Sequence, residues 1–213
     1  MKVALFLEEA GLEYEPIPVD GRNGDQHKPE YVALNPNAKA PTLTDGDTVV
    51  FDSNAILLYL AEKTGKFLPA DGQRGDLLSW LMFVATGVGP YSGQSVHFQR
   101  HAPEQLPYAI NRYRFEAKRH YGILDARLAS QPYMLGDDYG VIDMAVWGWA
   151  RLMPVVLDED AWADLPNLKR LVDEITERPA ATRAMELAAK FKFRQDMDDE
   201  ARRHMFPSNL TKA

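Results

Sequence analysis

The residues best placed for chemistry lie in "NAKAPTLTDGDTVVFDSNAI", positions 37–56. Asp52 and Ser53 stand side by side where an apolar helical pattern begins. Ser53 suits an N-cap, its hydroxyl accepting from a first-turn amide. The same amides, with the helix dipole, bind a carboxylate or a phosphate. Asp52 offers a carboxylate to a cation. The pair therefore reads in two ways. It is either a plain cap with dipole stabilisation, or a site for a zwitterion, with amides for its carboxylate and an acid for its ammonium. Pro41 lacks an N–H and belongs at a strand start. A cis bond at Ala40–Pro41 would leave the preceding backbone to pair with an extended peptide, whereas a trans bond makes Pro41 structural.

These residues need a scaffold, and the pattern supplies one. "PTLT" (41–44) and "TVVF" (48–51) flank "DGD", a hairpin signal. From Ser53 to Lys63, Ile56, Leu57, Tyr59 and Leu60 line one helical face, and Gly65 ends it. Upstream, residues 1–11 read as a helix closed by Gly11, 13–20 as an extended segment at the sheet's edge, and "PEYVALN" as a short helix opened by Pro29. "FLPADGQRGD" (67–76) marks a change, after which the period is helical, with helices at about 74–88, 104–130, 141–152, 166–178 and 180–193. The reading is a small α/β domain at 1–66, a linker at 67–73, an all-helical domain at 74–195 and a polar, mobile tail at 196–213.

Composition narrows the function. The 213 residues are 46% hydrophobic and 26% charged, as in a soluble globular protein. A net charge of −7 opposes phosphate backbones and anionic lipid, so neither nucleic acid nor membrane is an expected partner. No secretory series opens the chain, which points to the cytoplasm and makes the Asn209-Leu210-Thr211 sequon a chance match. There is no cysteine, so thiol chemistry requires a thiol brought by a ligand. His27, His97, His101, His120 and His204 show no metal-ligand spacing, and no metal is expected. "GVGPYSG" (87–93) is neither a dinucleotide fingerprint nor a hydrolase elbow around Ser92. Trp147, Trp149 and Tyr133 read as core.

"NPNAKAPTL" with "TVVFDSNAILLYLAEKTG" resembles the glutathione-site signature of glutathione S-transferases. "GPYSGQSVHF" (89–98), "YAINRY" (108–113) and "YMLGDDYGVIDMAVWGW" (133–149) resemble the nu-class, disulfide-reductase branch. The resemblance covers residues 1 to about 190 and implies a thioredoxin-like first domain and a helical second one. It implies glutathione as cosubstrate, a small electrophile or disulfide as second substrate, and a homodimer. By the same resemblance Pro41 is cis, with the Ala40 backbone pairing to the cysteinyl unit. Asp52 and Ser53 hold the γ-glutamyl end, where Glu-Ser is commoner. Gln26 and Lys39 lie near the glycyl end, and Arg112 reaches the tripeptide from the helical domain. Tyr91, Gln94 and Phe98 shape the electrophile pocket. Asp143 caps a helix, with Gly140 where the family has a hydroxyl, and its role is structural.

The family opens with a strand and a loop carrying the catalytic side chain, followed by "NGxK" entering the first helix. This chain opens at Met1-Lys2-Val3, inside that helix. The natural polypeptide is therefore expected to be longer at its N-terminus, and no catalytic residue is named among those present. Two functions remain open: a glutathione-dependent transferase or disulfide reductase, and a non-catalytic glutathione- or protein-binding module.

Overall fold

The structure is a computed structural model describing residues 1–209. Helix α1 (Lys2–Ala10) buries Leu5, Phe6, Leu7 and Ala10, and Gly11 closes it in the left-handed region at φ 67. Strands β1 (Thr42–Asp45) and β2 (Thr48–Phe51) pair antiparallel, with Thr42 opposite Phe51 and Asp45 opposite Thr48. Helices α2 (Pro29–Leu34) and α3 (Ser53–Thr64) flank the hairpin. Segment 13–20, expected at the sheet's edge, joins no ladder. Pro16 and Pro18 remove donors from it, and the sheet among the described residues has β1 and β2 alone, neither bonded to it.

The helical part begins with α4 (Arg74–Phe83). The sequence pattern stops this helix at 88, but the chain runs on through a π turn at Val84–Val88 into α5 (Gly89–Arg100). Pro90 has no N–H for the regular ladder, and Gly89 instead donates to the Val84 carbonyl, five residues back. Then follow α6 (Pro107–Leu128), α7 (Val141–Ala150), α8 (Met153–Val156), α9 (Pro166–Thr176) and α10 (Pro179–Glu186). Helix α7 is apolar on nearly every face because α1, α3, α4 and α9 all pack on it. It joins the thioredoxin-like part to the helical one.

Asp143, at the start of α7, accepts from the backbone of Met134 at 2.8 Å and of Gly140 at 2.9 Å. Burial pushes its carboxyl up to about 7 against the pull of those amides. Glycine stands at the cap position 140, where a side chain would be crowded. A Cβ there would stand 3.0 Å from the Phe67 carbonyl oxygen, which accepts from Val141 at 3.0 Å.

The tail is not the loose segment its composition suggests. Residues Asp199–Met205 form α11, capped by the Asp198 carboxylate, which accepts from Ala201 at 2.9 Å. This helix docks on the tight turns spanning Gly21–His27. Phe206 then packs against the rings of His97 at 5.1 Å and His101 at 4.8 Å on α5. The strap is held largely by hydrogen bonds and ring contacts, which hydrophobic periodicity does not register. The sequon at 209–211 runs beyond the described residues.

Candidate functional site

The joint between β2 and α3 is built differently from the sequence reading. Asp52, not Ser53, is the N-cap: its Oδ1 accepts from Asn54 at 2.8 Å and Ala55 at 3.2 Å. Asp52 sits at φ 71, which Asp tolerates better than most side chains, and this turns its carboxylate over the first turn. Ser53 is therefore the first helical residue. Among the described residues its N–H has no acceptor, and its hydroxyl is bonded by Lys2 alone. Asp52 Oδ2 has no hydrogen-bond donor among them either. A free N–H, a free O–H proton and a free carboxylate oxygen lie at consecutive residues.

The Ala40–Pro41 bond is cis, opening β1. The turn before it is pinned through the Lys39 carbonyl, which accepts from Asn35 at 2.7 Å and Tyr31 at 3.0 Å. Lys39 and Ala40 themselves are exposed. Pro41 and Ser53 come together on one cavity of about 200 Å³, lined also by Lys2, Trp149, Arg151 and Leu152. Trp149, read from sequence as core, is half-buried and lines this cavity, whereas Trp147 is core and donates to Thr176 at 3.0 Å.

Gln26 and Arg112 are placed otherwise. Gln26 is 8% exposed, and its amide nitrogen donates to the Gly21 carbonyl at 3.2 Å and the His204 carbonyl at 3.1 Å. Its Oε1 is buried with no partner. Arg112 is exposed and bonds Glu116 at 2.6 Å, and Arg119 bonds the same carboxylate at 2.9 Å. Together they hold the Glu116 carboxyl below the usual range. On the helical side the Tyr91 ring lies 4.9 Å from His120, Phe98 stacks on Tyr113 at 5.1 Å, and Gln94 is exposed.

Sequence reasoning missed Lys2, a lysine at a helix start that reads as a solvated charge. It is 8% exposed, and its ammonium donates to Ser53 Oγ at 3.2 Å and Asn54 Oδ1 at 3.1 Å. Burial lowers its pKa to about 8, with the Asp52 carboxylate countering. The available signal was Gly148 inside an apolar helix, since a lone helical glycine often marks close packing. Among the described residues, no group of three or more His, Cys, Asp or Glu is arranged to hold a metal ion. No helix among them is long and apolar enough to cross a membrane.

Comparison with known proteins gives concordant findings. The family model described as glutathione S-transferase, N-terminal domain matches residues 1–62, and that of the C-terminal domain matches 97–179. The chain is similar to the disulfide-bond oxidoreductase YfcG of Escherichia coli, 40% identical over 199 residues, spanning 86% of this chain and 88% of that protein. It is 39% identical to the disulfide-bond oxidoreductase YghU of the same organism, over 85% of this chain and 69% of that one. Among solved structures, it resembles a Phanerochaete chrysosporium glutathione transferase in complex with oxidised glutathione. The TM-score is 0.83 at 36% identity, over 89% of this chain and 90% of that one. A Burkholderia graminis glutathione transferase with two glutathione molecules per subunit gives 0.79 at 36%, over 87% and 82%.

Proposed function

The chain belongs to the glutathione S-transferase family, and on that premise we propose that it is a glutathione-dependent disulfide-bond reductase of the nu-class branch. The observation that carries this is the meeting of Pro41 and Ser53 on one cavity, with donors and a carboxylate oxygen left unpaired at Asp52-Ser53. The Ala40 backbone, exposed beside Pro41, pairs with the cysteinyl unit of glutathione. The Ser53 N–H and hydroxyl take the γ-glutamyl carboxylate, and Asp52 Oδ2 takes its ammonium. Lys39 serves the glycyl end, Gln26 contributes there only once its donors leave the Gly21 and His204 carbonyls, and Arg112 approaches from the helical side.

These 213 residues contain no cysteine, which fits a reaction in which bound glutathione supplies the sulfur. Glutathione thiolate attacks a disulfide sulfur, forming a mixed disulfide and releasing one substrate thiolate. A second glutathione thiolate attacks the mixed disulfide at the bound glutathione sulfur, giving oxidised glutathione and the second substrate thiolate. Related structures that carry two glutathiones per subunit or oxidised glutathione support this order. A small electrophile meeting the same thiolate would give transferase activity. The reaction fits a reducing compartment such as the cytoplasm. A homodimer accompanies this reading. Exposed Val49 and Phe51 on β2, and Leu78 and Met82 on α4, are apolar surface that pairing of the thioredoxin-like part of one subunit with the helical part of its partner would cover.

The test is calorimetric titration with glutathione, followed by turnover of hydroxyethyl disulfide and of a chlorodinitrobenzene electrophile. Binding with disulfide turnover is the expected result. Binding without turnover of either substrate would make the chain a glutathione-binding module, and absence of binding would overturn both.

A further inference from the structure

Lys2 is buried at the edge of the candidate site with no carboxylate in bonding contact. Its ammonium donates to two neutral oxygens, Ser53 Oγ at 3.2 Å and Asn54 Oδ1 at 3.1 Å, and Asp52 acts on it only through space. An ammonium has three donors. The third has no acceptor among the described residues, and Lys2 lines the same cavity as Pro41 and Ser53. The fold gives up backbone stability to keep this side chain. A Cβ at Gly148 would come within 2.2 Å of Lys2 Cγ and 2.8 Å of Cε, so α7 carries glycine in its interior, where glycine is disfavoured. The Trp149 ring centroid lies 6.0 Å from the ammonium.

We infer that Lys2 is a positioning residue, which directs the Ser53 proton into the cavity and completes the pocket for the γ-glutamyl carboxylate. This rests on the glutathione reading given above. A serine hydroxyl has one proton and two lone pairs. While Lys2 donates to the oxygen, the Ser53 proton must point elsewhere, and an entering carboxylate is its acceptor. Removing the ammonium leaves the buried Asn54 oxygen without its donor, and that oxygen then competes for the Ser53 proton. The third ammonium proton meets the carboxylate directly, a charge-assisted bond inside a largely buried site. At neutral pH the ammonium is protonated, since its lowered value stays near 8.

Calorimetric titration of the full chain with glutathione tests this, with wild type, Lys2→Met, Gly148→Ala and the Lys2→Met/Ser53→Ala pair, each also melted thermally. Lys2→Met is expected to weaken glutathione about tenfold while the melting temperature holds or rises, because a desolvated charge is removed. Gly148→Ala, which keeps the charge and displaces the stem, weakens binding in the same direction. In the Ser53→Ala background the Lys2→Met loss shrinks to less than about threefold, since both act on one carboxylate. Unchanged affinity in Lys2→Met or in Gly148→Ala overturns the proposal. So does an undiminished loss in the Ser53→Ala background, and so does weaker binding that only tracks a lowered melting temperature. If wild type itself takes up no glutathione, the functional reading falls, and this inference with it.

Discussion

The two ends proposed for the tripeptide are built in opposite ways. At Asp52-Ser53 the helix start is satisfied from within, since Asp52 Oδ1 takes two first-turn amides, and this leaves the Ser53 N–H, its hydroxyl proton and Asp52 Oδ2 for a ligand. At Gln26 the reverse holds. Both amide donors are occupied by the chain's own carbonyls, Gly21 and His204, and what remains is a buried acceptor. A carboxylate needs donors, so Ser53 is ready for one and Gln26 is not. The difference teaches that a side chain of the right type is a binding group only while the fold leaves its donors unpaired.

The sharpest test of this contrast is a pair of substitutions. Ser53→Ala removes a donor that has no competing acceptor among the described residues, and should weaken glutathione about tenfold or more. Gln26→Ala removes donors already engaged, and should change affinity by less than about threefold. Calorimetry on both variants gives the ratio. Equal losses would mean that Gln26 exchanges its intramolecular bonds for the ligand at little cost, and the contrast would be broken.

How much of this was legible beforehand differs between the same two ends. The hairpin, α3 and its closing Gly65, and the apolar period of α7 are local signals, and the sequence carries them plainly. Near Asp52-Ser53 only the division of labour was misread, because capping by Asp52 depends on its φ of 71, a backbone angle no residue type dictates. The Gln26 end was opaque for another reason. Its partners lie at 194–206, with the Asp20 carboxylate accepting from the Arg194 backbone at 2.6 Å and Arg22 donating to the Arg194 carbonyl at 2.9 Å. Contacts across more than 170 residues, made mostly through main-chain groups, leave no period in either segment. Lys2 was hidden likewise: its partners are two polar side chains 51 and 52 positions away, and Gly148 was its local trace.

If the strap closes the Gln26 end, loosening it should open that end. Phe206→Ala removes the ring that packs on His97 and His101, and leaves the strap held by the 20–27 turns, by Arg194 on Asp198 and Glu200, and by Asn209 donating to the His101 carbonyl at 2.9 Å. Truncating a partly buried aromatic of this kind costs about 1–2 kcal/mol locally, so backbone amide exchange across 20–27 should quicken about tenfold. Glutathione affinity should rise about twofold as Gln26 regains its donors. Unchanged exchange would show that the turns hold themselves and that the strap closes nothing.

Acid should act on the same end, more weakly. Burial lowers the pKa of His97, and that of His101 is lowered first by burial, then by His97 and by Arg100, Arg22 and Arg202 around it. Both rings therefore prefer the neutral form when the strap is docked, while an unfolded imidazole takes its proton near 6.5. The sign follows: the docked strap binds fewer protons than the released one, so its stability is full above about 6.5 and declines as pH falls through the lower folded values. Lys2, whose value lies near 8, only gains protons as the pH falls through this window, so it does not share in the loss. Lowering the pH from about 7.5 to 5.5 should then quicken amide exchange at 20–27 beyond the intrinsic pH effect, in wild type but not in Phe206→Ala, where the packing that the protonated rings would oppose is already gone. Acid-induced slowing, or the same response in both proteins, would place the titrating groups elsewhere.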